Sequence, residues 1–151
     1  NQKENIEVMK KLKDQNNFEN FTVLNSLDEI KQMNFDFINL GSVIQYIDNY
    51  KEVLNDLINT NPIYIFFSAQ TFYEKKYNTK EKIIVKQVNI LPQLNFCFFF
   101  EYSPFINIFK LKNFLPLFKT LNLTDKVNYK NFNEKMGKIE YSDLLLKNMK
   151  K

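Results

Sequence analysis

The sequence predicts an α/β domain with a mostly parallel sheet that closes on a C-terminal antiparallel hairpin. Three observations carry this. Short apolar runs alternate with helical patterns from residue 21 to residue 67, which is the rhythm of parallel strands joined by crossover helices. The links between them are only a few residues long. Two extended stretches, Val127–Phe132 and Ile139–Met149, flank a turn at Asn133–Gly137. Neither a repeat nor a linker divides the chain, so residues 1–151 are read as a single domain.

The elements follow in order. Ile6, Met9 and Leu12 fall at helical spacing within residues 4–15, and Asn16-Asn17 ends that helix. Phe21–Leu24 reads as a short strand. Ser26 opens Ser-Leu-Asp-Glu, a capping box with Glu29, and a brief helix runs to Met33. Phe35–Leu40 is almost wholly apolar between turn residues, as a strand buried on both faces is. Val43, Ile44, Ile47, Tyr50, Leu54, Leu57 and Ile58 share a helical face. Two capping boxes, Ser42 with Gln45 and Asn49 with Glu52, split it into two helices with a turn near Asp48-Asn49. Asn61-Pro62 stops the second helix, and Ile63–Phe67 is the next buried strand. Residues 73–82 are polar and Lys-rich, and Lys82–Ile90 is extended. Leu91–Phe109 is rich in Phe without a clear period. Asn113 reads as the cap of a helix that turns Phe114, Leu115, Phe118 and Leu121 inward, with Pro116 in its first turn.

Composition excludes several chemistries. The chain has no His and one Cys, and it carries a net charge of +4 from 21 Lys and no Arg. Cys97 has no disulfide partner, a Cys/His metal site has no ligands, and a His-based triad or proton shuttle cannot be built. Gly41 and Gly137, the only glycines, are too far apart for a phosphate-binding loop. Lys75, Lys76, Lys80 and Lys82 interleave with Tyr73 and Tyr77. A solvated loop explains them better than nucleic acid, because the charge is modest and the guanidinium fork is missing. No apolar run reaches the length of a membrane span and no signal segment opens the chain, so the expected location is cytoplasmic.

The block Phe35-Asp36-Phe37-Ile38-Asn39-Leu40-Gly41-Ser42-Val43-Ile44-Gln45-Tyr46-Ile47-Asp48-Asn49 resembles the fourth strand and following helix of class I S-adenosylmethionine-dependent methyltransferases. It is most similar to a group of such proteins from surface-polysaccharide gene clusters. The match continues through residues 50–58 and 62–68, into the fifth strand. The specific match covers residues 35–67, and the remainder is compatible with it. The resemblance implies a Rossmann-like sheet whose first strands precede Asn1, together with the Gly-rich loop that holds most of the cofactor. It implies S-adenosylmethionine as cofactor and a sugar or other small molecule as methyl acceptor. Asn25, Ser26, Leu40, Gly41, Ser42, Gln45 and Tyr46 fall where the family meets the cofactor. Gln70, Thr71, Phe72 and Tyr73 fall on the acceptor side, and no residue stands out as a base. One departure is plain. The group tends to carry an Asp-Arg-Thr-Pro-Phe-like run after the fifth strand, and here Ser68-Ala69-Gln70-Thr71-Phe72 stands instead.

Each candidate also has a purely structural explanation. Ser26 and Ser42 serve as helix caps, Gly41 relieves a tight turn, Gln45 completes a capping box, and Tyr46 is a half-buried aromatic. The Phe-rich segment reads as a lid, an insertion packed on the sheet, or a surface left exposed. Cys97 reads as a buried, inert thiol. The alternative function is a non-catalytic interaction module that uses a sheet edge and the Phe-rich surface. That reading predicts self-association or pairing with a segment upstream of Asn1. Without the first strand of the family, Phe21–Leu24 is expected to pair directly with Phe35–Leu40 in a sheet of about five strands.

Overall fold

A computed structural model describes residues 2–16, 19–73, 82–90, 93–121 and 139–151. The chain divides into two compact units, residues 1–33 and 34–151. In the first unit, helix α1 covers Gln2–Gln15, with Glu4 in its first turn and Lys13 in its last. Those signs suit the helix dipole. Asn16 ends it as expected: its backbone N–H and its side-chain amide both donate to the Leu12 carbonyl, at 3.2 and 2.8 Å. Ser26 caps a 3-10 helix at Leu27–Gln32. Phe21–Leu24 forms no strand, contrary to the sequence reading. Four apolar residues become a strand only when a neighbour takes their backbone groups, and the pairing expected with Phe35–Leu40 is not made.

The second unit is α/β with an open, mixed sheet of six strands. Strand β1 (Phe37–Gly41) leads through a 3-10 turn at Ile44–Tyr46 to α2 (Tyr50–Asn59) and then β2 (Tyr64–Tyr73). A hairpin of β3 (Lys82–Ile90) and β4 (Gln93–Glu101) follows, then α3 (Tyr102–Lys110), β5 (Phe114–Leu121) and β6 (Ile139–Asn148). The order is β3-β4-β2-β6-β5, with β1 also paired to β2. β1 and β4 lie parallel to β2, and β6 is antiparallel to both β2 and β5.

Several elements differ from the sequence reading. β1 is not buried on both faces: Ile38 is buried while Phe37 and Asn39 are exposed. The Ser42–Gln45 box does not form, because Val43 is the residue that precedes the 3-10 turn. Asn49 is the N-cap of α2, but its side chain donates to Glu52 Oε2 at 3.1 Å rather than capping the backbone. The helix expected after Asn113 is β5. Asn113 adopts φ 65°, and its N–H donates to the Lys110 carbonyl at 3.1 Å, so it closes α3 instead of opening a helix. Pro116 lies at an irregularity of β5, which pairs with β6 alone. An edge strand tolerates the missing donor there as well as a helical first turn does. The expected strand Val127–Phe132 and its turn lie outside the described residues, as does most of the Lys-rich loop.

The Phe-rich stretch is core. Phe98, Phe99, Phe100, Phe105 and Phe109 are buried, and Phe96 alone of the group is exposed. Rings of α3 cover one sheet face: Phe105 lies 5.4 Å from Phe67 and 5.3 Å from Phe72, and Phe109 lies 5.5 Å from Phe67. Tyr50 of α2 meets Phe100 at 4.7 Å. On the opposite face Phe37, Phe66 and Phe118 form a row across the sheet, with Phe37 and Phe118 exposed by 53% and 43%.

An irregularity sets which β2 residues share the covered face. β2 pairs with β6 as Phe67↔Leu144 and then Gln70↔Ser142, so Ser68 and Ala69 bulge out. Ala69 has φ 49°, and its N–H donates to Asp143 Oδ1 at 2.8 Å. Asp143→Ala is expected to cost about 1–3 kcal/mol, the penalty for leaving a part-buried N–H without its acceptor. Phe67→Ala is expected to cost about 3–5 kcal/mol from the cavity it opens. Urea unfolding checks both, and an Asp143→Ala chain of parental stability would show that the carboxylate does not hold the bulge.

Candidate functional site

The carboxyl ends of β1 and β2 form the edge at which open α/β sheets bind ligands. Gly41 ends β1 opposite Ser68. A Cβ added at Gly41 would meet no atom within 4 Å. The turn does not need its freedom either, since the left-handed residue is Ser42, with φ 49°. The sequence reading that Gly41 relieves the turn is therefore corrected: the strain sits one residue later. Ser42 is held by its N–H to the Ser68 carbonyl at 3.0 Å, and its Oγ donates to the same oxygen at 3.2 Å. Leu40 is half-buried beside Phe67, so only Gly41 leaves open backbone at the strand end.

Two glutamines bring buried polarity to the edge. Gln45 is 2% exposed and Gln70 is fully buried, and the amide oxygen of each has no hydrogen-bond partner among the described residues. An unsatisfied buried acceptor costs about 1–3 kcal/mol, so each marks a place where a donor belongs. Gln70 Nε2 donates to Thr71 Oγ1 at 3.4 Å, and Thr71 Oγ1 donates to the Phe98 carbonyl at 2.6 Å. Tyr46, next to Gln45, is largely exposed.

The other residues singled out from the sequence fall elsewhere. β2 runs on to Tyr73, so Gln70–Tyr73 is strand and not the loop that the sequence suggested. Phe72 packs on Tyr102 and Phe105, and Tyr73 clusters with Cys97, Phe99 and Ile139. Asn25 and Ser26 belong to the first unit and are engaged within it. Asn25 Oδ1 accepts from Lys10 Nζ at 2.6 Å, and Glu29 Oε1 accepts from the N–H groups of Asn25 and Ser26 at 2.9 and 3.2 Å.

Sequence reasoning missed one polar group at this edge, formed by Tyr102, Lys119, Glu140 and Ser142. They come from α3, β5 and β6, so no spacing along the chain connects them. Away from it, an open depression of about 410 Å³ is lined by Asp48–Glu52 and Lys82. Of its two lysines, Lys82 is engaged by aromatic rings: its Nζ lies 3.7 Å from the Phe98 ring centroid and 5.3 Å from that of Tyr50.

Burial pushes the Cys97 thiol above its ordinary value of 9.0. The folded chain then keeps a proton that the unfolded chain releases, so this residue lowers stability as pH rises past that value. Folded protein is expected to resist thiol alkylation at neutral pH and to react once unfolded in urea; rapid labelling of the folded chain would contradict a buried thiol. For Gln70, replacement by Leu removes an unpaired acceptor at similar volume. Gln70→Leu is expected to match or exceed the parent in a thermal melt, and marked destabilisation would show that the amide is structural.

Among the described residues no helix is long and apolar enough to cross a membrane. No known protein-family model matches the sequence, and no curated protein matches it.

Proposed function

We propose that this chain carries the C-terminal portion of a class I S-adenosylmethionine-dependent methyltransferase domain. Its acceptor would be a sugar or another small molecule of surface-glycan synthesis in the cytoplasm. The observation that supports this best is the strand order β1-β2-β6-β5, in which β6 alone runs antiparallel. The sequence resemblance implied such a sheet, with a reversed strand near its end. The open backbone at Gly41 supports it further, because a cofactor can approach there without displacing a side chain.

In this reaction the S–CH₃ bond of the sulfonium breaks as a bond to an acceptor oxygen or nitrogen forms, and the acceptor gives up a proton. Most of the rate comes from holding the two partners in line. Gly41 would lie against the cofactor, and the buried amides of Gln45 and Gln70 lie behind that edge. The alternative of a non-catalytic interaction module draws no support from the Phe-rich segment, whose rings mostly fill the core.

Calorimetric titration with S-adenosylmethionine, on the chain extended upstream of Asn1 to include the Gly-rich loop that the resemblance implies, tests the proposal. Saturable binding is expected, retained in Gly41→Ala and lost in Gly41→Phe while both variants stay folded. Binding that is absent from the extended chain, or unaffected by Gly41→Phe, would overturn this reading of the site.

A further inference from the structure

On the covered face of the sheet, Ile38, Ile65 and Leu146 align in an apolar row, and in the next row Phe67 aligns with Leu144, which pairs with Lys119 of β5. The next row pairs Gln70 with Ser142, and both are fully buried. Ser142 Oγ donates to Glu140 Oε1 at 3.1 Å, and Lys119 Nζ pairs with that same oxygen. The Lys119 and Glu140 side chains are 28% and 15% exposed. Lys119 Nζ lies 4.5 Å from the Tyr102 ring centroid. The pair reaches solvent on the Lys119 side, and ion pairs of this kind add little to folding stability. The group lies at the carboxyl ends of β2 and β5, the ligand-binding edge. Beside it, Gln70 keeps an unpaired, fully buried amide oxygen.

We propose that Lys119 and Glu140, backed by Ser142 and Tyr102, form a subsite for a neutral molecule bearing two adjacent hydroxyls. This rests on reading the carboxyl edge as the ligand site, and it assigns the acceptor side of that edge. The charge pair selects the ligand class. A carboxylate entering it meets Glu140, and an ammonium meets Lys119, each at a cost in repulsion. A hydroxyl both donates and accepts. One hydroxyl of a diol donates to Glu140 while its neighbour accepts from Lys119, and neither charge is left buried without a partner. Burial raises the Tyr102 phenol above its ordinary value, so it stays protonated as a further donor.

The test is a titration of the ¹⁵N-labelled full chain with methyl α-glucopyranoside, followed by amide chemical shifts. The expected result is saturable movement of the Lys119 and Glu140 signals, at least tenfold weaker in Glu140→Gln and in Lys119→Gln. Glucuronate and glucosamine are expected to bind more weakly than the neutral glycoside. A second comparison needs no variant: tetrahydropyran-2-methanol, which lacks adjacent hydroxyls, is expected to leave those signals unmoved. No saturable movement with the glycoside, equal binding by the variants, or an equal response to the mono-alcohol would overturn the subsite. Titration with S-adenosylmethionine, on the chain extended upstream of Asn1, separates the two readings. Loss of donor binding with the glycoside response intact sinks the methyltransferase reading alone. Donor binding without a glycoside response sinks the subsite alone.

Discussion

At Ala69 the backbone of β2 enters the left-handed region, and groups just past β1 and in the middle of β6 hold it there. Ser42, just past β1, donates twice to the Ser68 carbonyl, and Asp143 of β6 accepts the Ala69 N–H. A non-glycine residue in this region costs on the order of 1 kcal/mol or more, so the conformation persists only where its surroundings fix it. The consequence is geometric. Without the bulge, Phe67 and Gln70 would lie on opposite faces. With it, Phe67, Gln70 and Phe72 all face the helices, and Thr71 and Tyr73 turn to the other side.

The bulge also separates the two neighbours that β2 has along one edge. Residues 64–68 pair with β1, and residues 72–73 pair with the end of β4. Thr71, between them, reaches the Phe98 carbonyl. The β3–β4 hairpin thereby joins the sheet after β1 has ended, and its Phe98 and Phe100 enter the core beneath α2. Packing and polarity meet at this point. The apolar part of the covered face anchors α3 through Phe105 and Phe109, while beyond the bulge Gln70, Ser142 and Glu140 share the face with Phe72, and Lys119 reaches Glu140 from the Leu144 row. A buried polar group needs a partner, and the unpaired oxygens of Gln45 and Gln70 are conspicuous in a core of phenylalanine and leucine.

Local chemistry made much of this legible in the sequence. The α1 pattern, the stop at Asn16, the cap at Ser26, the amphipathic face of α2 and the turn before it depend on residues a few positions apart, and they appear where expected. β6 was recognisable as the extended stretch that follows the turn residues Asn133–Gly137. Phe21–Leu24 and Phe114–Leu121 were misread for a common reason: whether an apolar stretch becomes a strand depends on a partner far away in the chain. Asn113 was taken for the start of a helix because the same residue type caps a helix start and closes a helix end in the left-handed conformation.

Residue types alone carry the exclusions: no imidazole, no paired thiols, no guanidinium and no glycine-rich loop. They also place Gly41 and Ser42 at the end of an apolar run, where a strand meets a turn. Packing of distant strands sets the rest: the left-handed residue is Ser42, β2 continues through a bulge to Tyr73, and Lys119 reaches Glu140 over Tyr102. Composition and short-range spacing constrain groups within a turn or two of each other. The charged pair and the bulge arise where β1, β2, β5 and β6 come side by side, and that adjacency is set by burial of the whole sheet face.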